Sequence, residues 1–408
     1  MRCFTRRSMD HKVLTGSVLL LLLIWIIYFY TDLLSKANYH VNKQYDTDEQ
    51  GRSLMTSNDD VVKDLYEKST MVMNGTKIYI DRNALPKDNR LFQSAEEQEF
   101  PTTADDTYRI PHIIHQIYTD ENIPRIFIPL IQTFTYFNPK WKYMLWTYAS
   151  GRTLIKKTHP YLIDAYDTLN RQNGVKRTDV LRMVILYEFG GLYADMDVIN
   201  LRSLDIATKK YACIIPVEPF EHAATYKKSY FMSNAVMLCR PKHPFFKMVL
   251  MGLLKVDDEA DPVAVTGPAF LTRMFQKYNK ITPYLLHAQK KDMSSNSPSF
   301  YKGEYLETDD NALYVPNSQY FMDNISPEIH KRMMKSCDDV EDHPSSQLTI
   351  RACSELVSRM NVRLNRKYTF TVHYWYNLYL YPPRWLRMLT KVPIREIVPY
   401  TIMYQLRD

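Results

Sequence analysis

From Ile110 onward, hydrophobic positions along this chain alternate between strand-like and helix-like spacing. The β-branched run Ile110-Pro111-His112-Ile113-Ile114-His115-Gln116-Ile117-Tyr118 predicts a strand. A helix is expected over residues 125–136, a turn at Asn138-Pro139 and a strand over 142–146. Helical segments follow through 161–172. In residues 177–189, Val180, Leu181, Val184 and Ile185 give the apolar faces of another helix. Gly190-Gly191 stops that helix and turns the chain directly into a strand running toward Val198. Strands are predicted over 211–217 and 233–239 and a helix over 244–254, and the loop Thr266-Gly267-Pro268 leads into a helix ending near Gln276. Strands alternating with helices predict an α/β sheet with ligands bound at the strands' carboxyl ends.

The chemistry concentrates where the strand after Gly191 ends in Asp195-Met196-Asp197. On a strand, Asp195 and Asp197 point to one face and Met196 to the other. Two like charges held that close call for a hard divalent cation. On the preceding helix Asp179 and Arg182 are three residues apart and share a face, either aimed at a ligand or simply paired as ions. An acid-x-acid triplet alone is weak; its delivery by an apolar strand directly after this helix gives it weight.

An uncharged apolar run, residues 13–31, lies near the N-terminus with Arg2, Arg6, Arg7 and Lys12 before it. At about 1.5 Å per residue it just crosses a hydrocarbon core of roughly 30 Å. The basic flank places the N-terminus in the cytosol and the rest in a secretory lumen. A cleaved signal peptide is the rival, but no small-residue cleavage site follows. The organisation expected is a cytosolic tail (1–12), a signal-anchor helix (13–34), a polar stem (35–108), a catalytic domain (109–380) and a basic, aromatic C-terminal segment (381–408). That last segment is expected to pack on the domain, with a membrane-surface role as its rival. The sequons Asn74-Gly75-Thr76 and Asn324-Ile325-Ser326 fit a lumenal setting. So do Cys213, Cys239, Cys337 and Cys353, whose spacing suggests 337–353 and 213–239 pairs among three possible pairings.

Composition removes other readings. With 10 Gly in 408 residues there is no GxGxxG or Walker loop. The net charge of +7 would suit nucleic acid, but a lumenal domain meets none, so phosphate groups on a substrate are the expected acidic partners.

Asp179, Arg182, Gly190, Gly191, Tyr193, Asp195 and Asp197 stand in the order that resembles the DXD-containing glycosyltransferases of family 32. Further blocks agree: Ile110-Pro111 with Ile114-His115-Gln116-Ile117, Asn138-Pro139-Lys140-Trp141, Ser233-Asn234, Thr266-Gly267-Pro268 and the closing His373-Tyr374-Trp375. The likeness is strongest to the inositol phosphoceramide mannosyltransferase branch, with an α-1,4-glycosyltransferase branch beside it. It implies a GT-A-like fold, a Rossmann-like mixed sheet flanked by helices, with a nucleotide-sugar donor (GDP-mannose or a UDP-hexose), a divalent metal such as Mn2+, and retention of anomeric configuration. Asp197 is then the direct metal ligand and Asp195 bridges metal and donor. Asp179 and Arg182 hold donor hydroxyls, Tyr193 and Asn234 stand at the donor, and His373 completes the metal shell or binds diphosphate. His115 and Gln116 face opposite ways on their strand, so at most one reaches the nucleotide. Glu218 and Glu221 lie in a loop suited to the acceptor. A Golgi, single-pass type II hexosyltransferase is expected, moving mannose to a sphingolipid or glycan. Transfer of galactose or N-acetylglucosamine from a UDP donor is the enzymatic alternative, and an inactive lumenal sugar-binding or scaffold protein the non-enzymatic one.

Overall fold

The computed structural model describes residues 70–73, 76–79, 100, 107–168, 174–228, 230–255, 261–281, 309–338, 347–361, 368–376 and 390–404. The predicted cytosolic tail, the signal anchor, Asn74 and most of the stem lie outside these residues. Among the described residues no helix is long and apolar enough to cross a membrane.

A small two-stranded sheet pairs β1 (Thr70–Met73) with β2 (Thr76–Tyr79). The main sheet has six strands in the order β12-β5-β3-β6-β9-β8, built from β3 (Ile113–Tyr118), β5 (Lys142–Thr147), β6 (Gly191–Ala194), β8 (Cys213–Ile214), β9 (Val236–Cys239) and β12 (Ile402–Met403). Only β9 runs against its neighbours, so β3, β5, β6 and β8 all end at one edge. The α/β expectation with a mixed sheet is met.

Side chains alternate across this sheet, and both faces are buried. Ile114, Tyr143, Leu145, Leu192, Val236 and Leu238 enter one core, whereas Ile117, Met144, Trp146, Tyr193 and Met237 enter the other. Helix α1 (Ile128–Phe137) covers the first face through Ile131 and Phe134. On the second face, α2 (Tyr148–Thr158) and the short α3 (Ile163–Thr168) pack with α4 (Val175–Phe189). The start of α2 is fixed by a reciprocal cap between Thr147 and Ser150, a local signal not used in the sequence reading. Six apolar residues of α4 from Val180 to Leu186 are buried, so this helix lies inside the fold rather than on it.

Several expected elements shorten. Strand β3 begins at Ile113, not Ile110. The 211–217 strand keeps ladder pairing only at Cys213–Ile214, because Pro216 has no N–H to give. The 233–239 strand begins at Val236, leaving Ser233 and Asn234 at the sheet edge.

Downstream lie α5 (Phe220–Thr225), α6 (Pro244–Gly252), α7 (Pro262–Val265), α8 (Pro268–Tyr278), α9 (Ser318–Phe321), α10 (Pro327–Asp338) and α11 (Gln347–Asn361). Disulfides join Cys213 to Cys239 across β8 and β9, and Cys337 to Cys353 between α10 and α11. Two of the sequence boundaries shift. Phe100, assigned to the stem, is buried at the centre of a ring cluster with Tyr211, Tyr314, Tyr320, Phe321 and Phe370. The C-terminal segment is part of the fold: β11 (Lys391–Pro393) pairs with β4 (Asn122–Pro124), and α12 (Ile394–Ile397) leads to β12 at the sheet's edge.

Candidate active site

Two glycines set the site's position. Gly190 caps α4 with φ of 63°, and Gly191 opens β6 with φ of 90°, a region that side chains rarely adopt. A Cβ on Gly191 would stand 2.5 Å from Ile113 O, so the close β3–β6 approach also requires glycine.

β6 ends at Ala194, and Asp195-Met196-Asp197 forms a turn instead of continuing the strand. Asp195 N–H still donates to Ala235 O (2.9 Å), and Val198 N–H donates back to Asp195 O (3.2 Å). The turn carries the chain into β7 (Val198–Asn200), which pairs antiparallel with β10 (Thr371–His373). Strand alternation is therefore not what unites the two carboxylates; the turn is. It also sets His373 opposite Val198, with Nε2 2.9 Å from Asp197 Oδ1.

Asp195, Asp197 and His373 each offer a ligand atom within 4.8 Å of the others. Two carboxylates and an imidazole suit a divalent ion such as Mn2+, and among the described residues the buried His373 Nδ1 has no hydrogen-bond partner. The residues thus fit the metal that the sequence implied. Burial raises the Asp195 pKa, against the pull of Arg182. Burial acts the same way on Asp197, but the His373 charge and hydrogen bond and the Tyr376 N–H (2.8 Å) hold it below the usual range. His373 is raised despite burial, because Asp197 lies beside it.

Arg182 bridges the helix and the turn. Its Nη2 lies 3.2 Å from both Asp179 Oδ1 and Asp195 Oδ1, and its Nη1 donates to Asn234 O at 2.6 Å. The guanidinium also lies over the Tyr193 ring, whose hydroxyl donates to Asp195 Oδ1 at 2.6 Å. Asp179 accepts from Asn234 Nδ2 (2.9 Å) and Thr266 Oγ1 (2.6 Å). Burial nevertheless pushes its pKa up to about 6, with Arg182 opposing. Asp179 and Arg182 form the ion pair, and both residues also line a cleft of about 660 Å³.

Asp195, Asp197, Asn234 and His373 also line that cleft. His115 and Gln116 do not. His115 is fully buried, its Nε2 bonded to Gly190 O (2.9 Å) and its Nδ1 to the Trp146 indole (3.1 Å), and burial lowers its pKa to about 4. Gln116 donates to Asp195 O (3.2 Å) and accepts from Tyr143 (2.7 Å), so it steadies the turn from behind. Glu218 reaches the cleft, whereas Glu221 is buried within α5. The sequon residue Asn324 donates its amide to His373 O (3.2 Å), which puts it against the site rather than on an open loop. Sequence reading gave no role to Thr266, Tyr376 or His222; Thr266 stood in a recognised block, but the helix it bonds is 87 positions away.

Residues 124–214 match the family described as glycosyltransferase sugar-binding region containing DXD motif. The similarity is to that sugar-binding region. It contains Asp179, Arg182, Asp195 and Asp197, while Asn234 and His373 reach the same cleft from outside it and Thr266 bonds Asp179 from behind. Among curated proteins the chain is similar to mannosyl phosphorylinositol ceramide synthase SUR1 of Saccharomyces cerevisiae, 30% identical over 45% of this chain and 47% of the relative. It is likewise similar to inositol phosphoceramide mannosyltransferase 3 of Schizosaccharomyces pombe, 29% identical over 42% of this chain and 46% of the relative. The chain thus spans about half the length of the curated relatives it matches. Among solved structures, the PaToxG glycosyltransferase aligns with 45% of this chain and 76% of its own at 18% identity, with a TM-score of 0.35.

Proposed function

We propose that this protein is a metal-dependent, retaining hexosyltransferase of the GT-A type, moving mannose from GDP-mannose to a sphingolipid or glycan hydroxyl. The observation that carries the reading is the convergence of Asp195, Asp197 and His373 in a cleft at the carboxyl ends of β3, β5 and β6. Names of the relatives support mannose and an inositol phosphoceramide acceptor. A divalent cation, Mn2+ by preference, held by Asp197, Asp195 and His373 supplies positive charge against the departing diphosphate.

The chain's own residues do the rest. Arg182 Nη2 contacts both Asp195 and Asp179, so the turn keeps its shape when the donor enters. Asp179, held by Thr266 and Asn234, presents an acceptor edge for donor hydroxyls. Tyr118 and Phe127, at the β3 side of the cleft, offer rings to the nucleotide base. The predicted anchor and the sequons support the reading of a single-pass type II protein of the Golgi membrane.

The test is a donor panel with the purified full chain in detergent, Mn2+ and inositol phosphoceramide micelles, with product analysed for anomeric configuration. Mannosyl transfer from GDP-mannose with retention is expected. Turnover of UDP-galactose or UDP-N-acetylglucosamine alone would reassign the donor, and no turnover with any donor would favour a sugar-binding protein.

A further inference from the structure

We propose that Glu218, oriented by His222, forms an acceptor subsite that takes a hydroxyl of a cyclic polyol, either a hexose or an inositol ring. The inference rests on the hexosyltransferase reading and names the wall of the cleft where the second substrate binds.

Topology separates this wall from the donor side. Glu218 follows β8, two strands from β6 in the order β6-β9-β8, while Tyr118 ends β3 on the opposite flank of β6. The Asp195–Asp197 turn stands between them, and all four residues line one cleft. The Glu218 backbone is fixed: its N–H donates to Phe231 O (2.9 Å), and the preceding Val217 bridges Met232.

Hydrogen bonding determines what Glu218 presents. Ser326 N–H donates to His222 Nε2 at 3.0 Å, so that nitrogen is an acceptor and the ring proton sits on Nδ1. Nδ1–H then donates to Glu218 Oε2 at 2.9 Å. Both ring nitrogens are thereby used, and His222 acts only by aiming the carboxylate. Among the described residues Glu218 Oε1 has no partner, although the side chain is only 7% exposed. Glu218 lines the cleft, so the lone pairs of that unpartnered oxygen can accept from a substrate hydroxyl that enters it.

Trp375 supplies the surface beside it. Its ring lies 4.6 Å from that of His222 and 4.0 Å from that of His373, and its indole N–H donates to Asn324 O at 2.8 Å. With φ of 55°, Trp375 holds a conformation that a bulky residue adopts only when its surroundings impose it. The result is a pinned apolar plate between the metal-binding histidine and the Glu218 acceptor. A ring with C–H groups on one face and hydroxyls at its edge matches both features; an anionic group at Oε1 would be repelled.

The test is ligand-observed NMR titration of the full chain in detergent with Mn2+ and GDP, using myo-inositol in one arm and methyl α-mannoside in the other. Wild-type protein is expected to bind at least one polyol, and the arm that binds identifies the ring. Glu218→Gln, whose amide oxygen can still accept from His222, should weaken that binding about tenfold or more. It should leave GDP affinity and melting temperature unchanged, and Glu218→Asp should restore part of the loss. The proposal is overturned if neither polyol binds wild-type protein, or if E218Q binds as wild type does. Failure of wild-type protein to bind GDP would count instead against the nucleotide-sugar reading, and the same titrations without GDP would still decide Glu218.

Discussion

His373 Nε2 lies 2.9 Å from Asp197 Oδ1 although 176 positions separate the two residues in sequence. The contact depends on the β7–β10 ribbon, so the three candidate metal ligands come together only once the C-terminal third has folded back. Replacing His373 by Gln should lower Mn2+ affinity about tenfold or more, read by calorimetry. Because Asp197 raises the His373 pKa above its ordinary 6.5, protons compete with the metal below that raised value. Wild-type Mn2+ affinity should therefore climb as pH rises through it, and His373→Gln should flatten the climb.

Arg182 neutralises two carboxylates at once, Asp179 buried and Asp195 partly buried. Arg182→Ala should cost about 3–5 kcal/mol of stability, since it leaves Asp179 and Asp195 facing each other. Protonation relieves that repulsion, so the deficit should shrink toward pH 5; denaturant midpoints at pH 5 and 7.5 check this. In the folded fraction, donor kcat/KM should fall more than acceptor kcat/KM.

His115 is held neutral in the core with its pKa near 4, against about 6.5 when unfolded. A group with a depressed histidine pKa binds fewer protons folded than unfolded, so stability falls as pH drops below 6.5 and levels off below 4. Between pH 7 and 5 the loss from this residue is about 2 kcal/mol. A His115→Gln variant should be less stable at pH 7 yet lose about that much less on acidification, as read from urea midpoints.

Gly191→Ala should be disproportionately harmful for a single methyl group. The φ of 90° and the 2.5 Å approach to Ile113 O leave no room for it. A cost of at least about 2 kcal/mol is expected. Activity should fall further than stability alone explains, because the DXD turn is displaced. Crystallography or a melting curve paired with donor kinetics separates the two effects.

Local signals carried much of this site. Gly190-Gly191 marked the helix stop, and Asp179, Arg182, Asp195 and Asp197 were recognisable because one short helix-to-strand unit holds them all. The reason offered for the acidic pair did not survive: a turn, not strand alternation, unites Asp195 and Asp197, and no periodicity distinguishes those two cases over three residues. His115 is a candidate ligand only through the family resemblance, since a lone histidine on a strand is usually a hydrogen-bonded structural residue. Its real partners, Gly190 O and Trp146, are distant in sequence. Likewise the edge strand Ile402–Met403 was hidden among prolines and basic residues, and only its pairing with Met144 and Leu145 defines it.

The central claim is that Asp195, Asp197 and His373 form a metal-dependent nucleotide-sugar site, and one comparison tests it most directly. Donor hydrolysis by wild-type protein and Asp197→Asn would be measured across a Mn2+ titration, with melting temperatures alongside. The account predicts Mn2+-dependent hydrolysis that a chelator abolishes. It also predicts that D197N melts within a few degrees of wild type and hydrolyses the donor about a hundredfold more slowly. Hydrolysis by D197N at the wild-type rate with the same Mn2+ dependence, or wild-type turnover indifferent to metal, would contradict it.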